Sequence, residues 1–307
     1  MHNIICIAGP TASGKTALAV ELAKEFGGEV ISCDSMQVYR RMDIGTAKPT
    51  EEEKQGIPHH MLDVADPDED FSVSRYCAMA GPILEDILAR GKTAIIAGGT
   101  GLYMDSLIRG NDFAPYPATG RREELEERAD REGIQPLMDW LREIDPTAAA
   151  RLHLSDRKRI IRALEVYLET GETITAHDLR TQAIPPKYTP LWLGLNFAER
   201  SELYRRIDLR VDLMLEAGLV AEIQALLASG IPPKCTAMQA IGYKEFVSAL
   251  DGNGTIQEAA AQVQQSSRRY AKRQLTWFRR NQRMNWLIRD REDILEKARR
   301  LIQETDN

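Results

Sequence analysis

The run Gly9-Pro10-Thr11-Ala12-Ser13-Gly14-Lys15-Thr16 has the spacing of a loop that closes around phosphate. Its glycines let the backbone curl so that successive N–H groups converge on anionic oxygens. Lys15 adds a full charge, and Thr16 adds a hydroxyl able to ligate magnesium. Phosphate binding does not by itself specify nucleotide hydrolysis. Enzymes that transfer a γ-phosphoryl group carry a further acid at the end of a downstream apolar strand, whereas Thr93 to Ala97 runs into Gly98-Gly99-Thr100-Gly101-Leu102-Tyr103 without a carboxylate. The acid that does end a strand is Asp34, after Glu29 to Cys33. On a strand neighbouring the phosphate-loop strand it would face the same crevice as a general base or metal-assisting group; alternatively it caps the segment that follows. The glycine-rich turn would bring Thr100 to that edge. Arg206 and Arg210, four residues apart, could clamp a diphosphate from its far side or pair with Asp208 and Asp212. His59 and His60 diverge from one another and have no third ligand spaced to join them, which points to a structural or substrate-edge role rather than a metal.

These residues need elements to hold them. Ile4 to Ala8 reads as a buried strand, the pattern from Thr16 to Glu25 as a helix, and Ser74 to Ala89 as a crossover helix before the strand Thr93 to Ala97. Strands alternating with helices predict an α/β protein, with a doubly wound parallel sheet of P-loop NTPase-like type. A fourth strand, Leu191 to Leu195, comes only after a charged, helical region bounded by Pro115 and Pro117 and by Pro185-Pro186. We therefore expect a catalytic core of residues 1–115 and 188–307, interrupted by a helical insertion of residues 116–187. The insertion's clearest helix should run from an Asp156 cap to Gly171, with Ile160, Ile161, Leu164, Tyr167 and Leu168 forming its apolar stripe and Lys158, Arg159 and Arg162 on the other side.

With 43% apolar and 28% charged residues in 307, the chain has an ordinary globular composition, which excludes a disordered or disulfide-stapled class. Cys6, Cys33, Cys77 and Cys235 lack zinc or redox spacing. The first eight residues hold too few apolar side chains for a signal segment, and no stretch approaches a membrane span, so a cytoplasmic protein is expected. The net charge of −6 argues against a nucleic-acid partner until its distribution is read. Nine basic residues lie between Arg268 and Arg291 against the single acid Asp290, a local +8 that leaves −14 on the remainder. An acidic body with one concentrated basic element points to a local polyanion contact.

The chain resembles the tRNA dimethylallyltransferases, also called tRNA isopentenyltransferases. The matching segments are Gly9 to Thr16, Asp34 to Arg40, Asp43 to Pro49, His59 to Asp63, Gly98 to Tyr103, Arg159 with Arg162 to Val166, Met238 to Glu245, and Arg268 to Gln274 leading to Trp277-Phe278-Arg279. They follow in order along nearly the whole chain. The resemblance implies that Gly9, Pro10, Thr11, Ala12, Ser13, Gly14, Lys15 and Thr16, with Arg210, hold the diphosphate of dimethylallyl diphosphate together with Mg at Thr16. It implies that the prenyl group moves to the exocyclic amine of the adenine just 3′ of the tRNA anticodon. Asp34 would contact that amine as the base, Ser35, Met36 and Gln37 would line the adenine, and Thr100 would stand at the reacting centre. Lys158, Arg159, Ile160, Ile161 and Arg162 would touch the tRNA anticodon stem-loop; many relatives carry an amide where this chain has Lys158. We add Arg269, Lys272 and Arg273 from the basic helix as phosphate contacts, and expect a monomer.

The chemistry is coherent with those residues. Breaking an allylic C–O bond concentrates negative charge on diphosphate, which Lys15, the loop N–H groups and Mg would stabilise. An adenine amine is a poor nucleophile that needs a carboxylate to take its proton, and the base must leave its stack to reach a crevice. Three rivals fit less of the chain. A P-loop small-molecule kinase lacks its downstream acid, an adenylate isopentenyltransferase acting on free nucleotide has little use for the basic helix, and a non-catalytic RNA-binding module leaves Asp34 and the complete phosphate loop unexplained.

The basic helix generates a direct test. Replacing Arg269, Lys272 and Arg273 with glutamine should reduce the slope of log tRNA affinity against log salt by roughly 0.7–0.9 per lost phosphate contact. An unchanged slope in a filter-binding titration would mean that the helix is only solvated.

Overall fold

The computed structural model describes residues 3–110 and 119–304. Six parallel strands form one sheet: β1 (Ile4–Ala8), β2 (Glu29–Cys33), β3 (His59–His60), β4 (Ala94–Gly98), β5 (Leu191–Asn196) and β6 (Met284–Ile288), in the order β3-β2-β4-β1-β5-β6. The doubly wound α/β reading is thus realised. The strand expected from Thr93 to Ala97 begins one residue later, and β3 and β6 were not anticipated. The basic stretch from Arg268 to Arg291 is accordingly not one element. A helix ends at Phe278, and the chain then turns into β6.

Every residue of β1 and β2 is buried, because a parallel sheet is covered on both faces and its strands read as continuous apolar runs. Alternation divides the contacts. Ile4, Cys6 and Ala8 pack into a core with Tyr76, Leu84 and Phe278, while Ile5 and Ile7 pack with Leu18 and Leu22 of the helix Lys15–Glu25 and with Ala298 and Ile302 of the helix Ile294–Glu304. Chain contacts divide the protein into two units, Met1–Gly110 with Lys187–Asn307, and Asn111–Pro186. The expected boundary at Pro115 to Pro117 lies outside the described residues.

The second unit has its own core of Leu125, Leu137, Leu141, Ile160, Ile161 and Leu164. Its helix Arg157–Thr170 begins after Asp156, yet the Asp156 side chain does not cap it. The carboxylate accepts the His153 N–H at 3.0 Å instead. Ile160 and Ile161 are 0% and 1% exposed. Their side chains belong to this core, which removes both from the expected tRNA contacts and leaves Lys158, Arg159 and Arg162 as the exposed members of that segment.

One expectation about the sheet fails in an instructive way. β2 does not neighbour the phosphate-loop strand; β4 lies between them, with Gly98 paired to Cys33 on one side and Ala8 on the other. A methyl group on Gly98 would overlap the Cys33 carbonyl, so the missing side chain lets β2, the strand before Asp34, close up on β4 and so stay one strand away from the loop strand. Gly98→Ala should therefore lower stability by roughly 1–3 kcal/mol, as overpacking does. Gly81→Ala, in the helix Val73–Ala89, meets open space except for the ring of Pro82, which crowds a methyl group on the residue before it; the gain in helix propensity and that crowding offset one another, so stability should change by less than about 1 kcal/mol. Chemical denaturation of both variants checks the contrast, and a neutral Gly98→Ala would contradict the packing argument.

Candidate active site

The carboxyl ends of β1, β2 and β4 open on one edge, where the switch of strand order leaves a crevice. The phosphate loop leaves β1 there. Ala12 and Gly14 have φ of 61° and 86°, and such left-handed residues among right-handed ones turn N–H groups toward one concavity. The loop carbonyls point elsewhere and are bonded by side chains. Lys15 Nζ and Ser13 Oγ both donate to the Pro10 carbonyl at 2.8 Å, Arg206 Nε to Ala12 at 3.1 Å, and Arg289 Nη1 to Ser13 at 3.1 Å. Arg210 Nη1 donates to Thr11 Oγ1 at 3.3 Å. Arg206 and Arg210 come from the helix Arg200–Glu216. Asp208 and Asp212, the alternative partners, instead take Arg268 and Gln264. Burial, together with the Arg210 guanidinium, lowers the Lys15 ammonium to about 8, and Asp34 pulls it the other way.

Asp34 follows β2 and does both things that its sequence left open. Its Oδ1 accepts the N–H groups of Met36 at 2.9 Å and Gln37 at 3.4 Å, capping the turn. Among the described residues no protein donor is bonded to Oδ2, and Asp34 lines two cavities. One, of about 700 Å³, also contains Lys15, Thr16, Arg206, Leu209, Leu213 and Met214 in its wall. The other, of about 370 Å³, is walled by Ser35, Met36, Ile207, Val211, Ile241 and Val263, with Lys244 and Arg273 among its polar members. Thr11, Thr46, Arg210, Met214 and Tyr270 line both, as Asp34 does. The Tyr270 hydroxyl, raised to about 12 chiefly by burial and then by Asp34, stays protonated near neutrality.

Thr100 lines neither cavity. Its N–H donates to the Cys33 carbonyl at 3.1 Å and its hydroxyl accepts the Ser35 N–H at 3.0 Å, so it braces Asp34 from both sides, and its side chain also meets the hydroxyl of Tyr270, which lines both cavities. Gln37 is likewise committed to the scaffold: its carbonyl accepts the Ser32 hydroxyl, and its amide hydrogens go to the carbonyls of Thr46 and Ala47. It keeps no free donor for a base. The strap from Asp43 to Lys48 is tied down again by Glu222, which accepts the N–H groups of Asp43, Ile44 and Gly45 and the Tyr243 hydroxyl, while Lys48 bridges Asp43 and Asp63. His60 bonds Glu29, whose carboxyl is pulled well below its usual range by Arg90 and Lys92; the pair is structural.

The helix Ile256–Phe278 is secured by a Thr255–Glu258 capping box. It exposes Arg269, Lys272 and Arg273, and Arg268 is paired with Asp208 at 2.5 Å. Its inward side carries Tyr270, Gln274 and Trp277, the last donating to Asp105 at 2.8 Å. Sequence reasoning missed two contributors. Gln274 could have been noticed as an amide one turn beyond Tyr270 on an inward face. Arg289 gave no local signal, because it was submerged in the basic run.

Residues 37–281 match the IPP transferase family, and residues 2–67 match the isopentenyl transferase family. A tRNA dimethylallyltransferase of Acetivibrio thermocellus is 47% identical over 298 residues, covering 97% of this chain and 95% of the relative. The crystal structure of the full-length tRNA isopentenylpyrophosphate transferase from Bacillus halodurans is 43% identical, with a TM-score of 0.73, covering 100% of this chain and 99% of that one. A eukaryotic dimethylallyltransferase, solved in crystallographic snapshots of its action on tRNA, is 33% identical with a TM-score of 0.76, covering 90% of this chain and 69% of that one.

The lowered Lys15 sets a pH dependence. An anion in the loop favours the charged ammonium, so affinity is complete below the free-state value and declines as pH rises through about 8. Calorimetric titration with inorganic diphosphate, expressed as a ratio to Lys15→Arg to cancel the ligand's own ionisation, should show that decline. A flat ratio up to about pH 10, the ordinary range for lysine, would contradict the lowered value.

Proposed function

Because the chain belongs to the IPP transferase family, we propose that it transfers a dimethylallyl group from dimethylallyl diphosphate to the exocyclic N6 amine of the adenine next to the tRNA anticodon on its 3′ side, releasing diphosphate. The observation that carries the reading is that one carboxylate, Asp34, lines two adjoining cavities. The first suits an amphiphilic donor. Lys15, Arg206 and Arg210 supply its charged part, and Leu209, Leu213 and Met214 supply an apolar wall for the prenyl chain. The second, walled by Met36, Ile241 and Val263, suits a flat base that has left its stack. The names of the relatives support tRNA as the polymer.

In this mechanism the C1–O bond of the donor breaks as the bond from N6 to C1 forms. The N6 proton passes to Asp34, and the electron pair of the broken bond leaves on diphosphate. Lys15, Arg206, Arg210 and the loop N–H groups stabilise that leaving charge more strongly in the transition state than in the ground state. Apolar cavity walls exclude water that would capture the allylic group. Thr100 and Ser35 hold Asp34 for the proton transfer. Among the described residues no cluster of three potential metal ligands exists. The Thr16 hydroxyl beside Lys15 would help to hold Mg, which would supply charge neutralisation for the leaving diphosphate. Arg269, Lys272 and Arg273, and on the insertion Lys158, Arg159 and Arg162, supply phosphate contacts to the anticodon stem-loop.

The test offers labelled dimethylallyl diphosphate with unmodified tRNA, with AMP or ATP, and ATP alone with tRNA. Label should enter only the tRNA of the first mixture. Efficient labelling of free nucleotide, or phosphoryl transfer without prenylation, would overturn the reading. In the productive mixture Asp34→Asn should lower kcat by roughly 10² or more, the usual size of a general-base contribution, with diphosphate affinity nearly intact.

A further inference from the structure

Gln274 is 5% exposed, and its planar amide makes two directed hydrogen bonds across the crevice. Its Oε1 accepts the Thr11 N–H of the phosphate loop at 2.9 Å, and its Nε2 donates to the Gly99 carbonyl at 3.0 Å. A main-chain N–H can only donate and a carbonyl can only accept, so the bridge needs an acceptor and a donor on one side chain. Gly99 is bare where the amide approaches; a methyl group there would overlap Nε2. The next residue, Thr100, bonds Cys33 and Ser35, the two residues flanking Asp34. A continuous path therefore runs from the phosphate loop through Gln274, Gly99 and Thr100 to the carboxylate.

We propose that Gln274 is a positioning residue for prenyl transfer: its amide joins the loop holding the diphosphate to the turn holding Asp34, and so sets the separation of the two reactants. The proposal rests on the prenyl-transfer reading above. Two reactants held on separate strands meet productively only if those strands keep a fixed distance, and a displacement of about 1 Å can cost roughly 10² in rate. β4 fixes that distance within the sheet; above the strand ends, Gln274 spans it from the loop to Gly99. The same helix presents Arg269, Lys272 and Arg273 outward, so the residue that spaces the reactants sits on the element that faces the RNA.

Three variants separate this role from a merely structural one. Gln274→Met keeps the volume and loses both bonds. Its kcat should fall roughly 10²-fold, with the affinities for inorganic diphosphate and for tRNA each within about threefold. Gln274→Glu supplies the decisive readout, because a protonated carboxyl again accepts and donates while a carboxylate can only accept. The titratable and charged groups that share the cavity wall with this position include Lys15 on the loop, Asp34 after β2, Arg206 and Arg210 on the helix Arg200–Glu216, and Tyr270 on its own helix. Referred to wild type at each pH, its kcat should recover several-fold as pH falls from about 9 to about 6; Gln274→Met should not recover. Gly99→Ala, which pushes the amide away, should reproduce the kcat loss of Gln274→Met. A Gln274→Met turnover within about threefold of wild type, or a Gln274→Glu variant that tracks wild type across the pH range, would overturn the proposal. If Gln274→Met does not melt cooperatively, the pH profile of Gln274→Glu decides alone. Wild-type protein that transfers no label would overturn the prenyl-transfer reading itself, an outcome distinct from any variant's behaviour.

Discussion

A phosphate loop can aim its N–H groups at an anion only if its carbonyls, turned the other way, find donors within the protein. In this chain those donors are side chains. Lys15 and Ser13 serve Pro10, Arg206 serves Ala12, and Arg289 serves Ser13. Much of the core's architecture follows from that need. The helix Arg200–Glu216 must lie against the loop to deliver Arg206 and Arg210, β6 must end beside it to deliver Arg289, and the helix Ile256–Phe278 must pass close enough for Gln274 to reach Thr11. The donors are mostly cations, so the scaffold that shapes the loop also charges it. Lys15 responds with a lowered ammonium, held down by burial and by Arg210.

The second requirement is that a carboxylate approach this positive loop without collapsing onto it. Asp34 stands two strands from β1, with β4 between, and its Oδ1 is occupied by main-chain donors of its own turn. Gly98 allows the approach and Thr100 limits it. The strap from Asp43 to Lys48, held by Glu222 and Lys48, brings Thr46 to the wall of both cavities. The Asp43 to Pro49 and Met238 to Glu245 segments that mark the family are thereby explained as parts of one lock, in which Tyr243 lies against Gly45 and shares Glu222 with it.

What the sequence disclosed was what is local. The phosphate loop, the strand before it and the helix after it are encoded within about twenty residues, and the buried parallel strands betray themselves as apolar runs. β3 is only two residues long, too short for a pattern, and β6 was hidden because Arg279 to Arg291 drew attention to charge. Strand order is not a local property, which is why Asp34 was expected one strand nearer the loop. Ile160 and Ile161 carried two incompatible expectations, an apolar stripe and an RNA contact, and burial decides for the first. Gln274 and Arg289 act across more than 260 residues of sequence, a separation over which no spacing rule operates.

Prenyl transfer by this route requires that the two cavities hold the two reactants on either side of Asp34. The most direct measurement is a structure of the protein bound to an unmodified anticodon stem-loop and a non-reactive thio-analogue of dimethylallyl diphosphate. The diphosphate should lie within hydrogen-bond distance of the loop N–H groups and Lys15, the adenine in the cavity walled by Met36 and Ile241, and its N6 about 3 Å from Asp34 Oδ2. An adenine stacked outside that cavity, or a diphosphate away from the loop, would contradict this route.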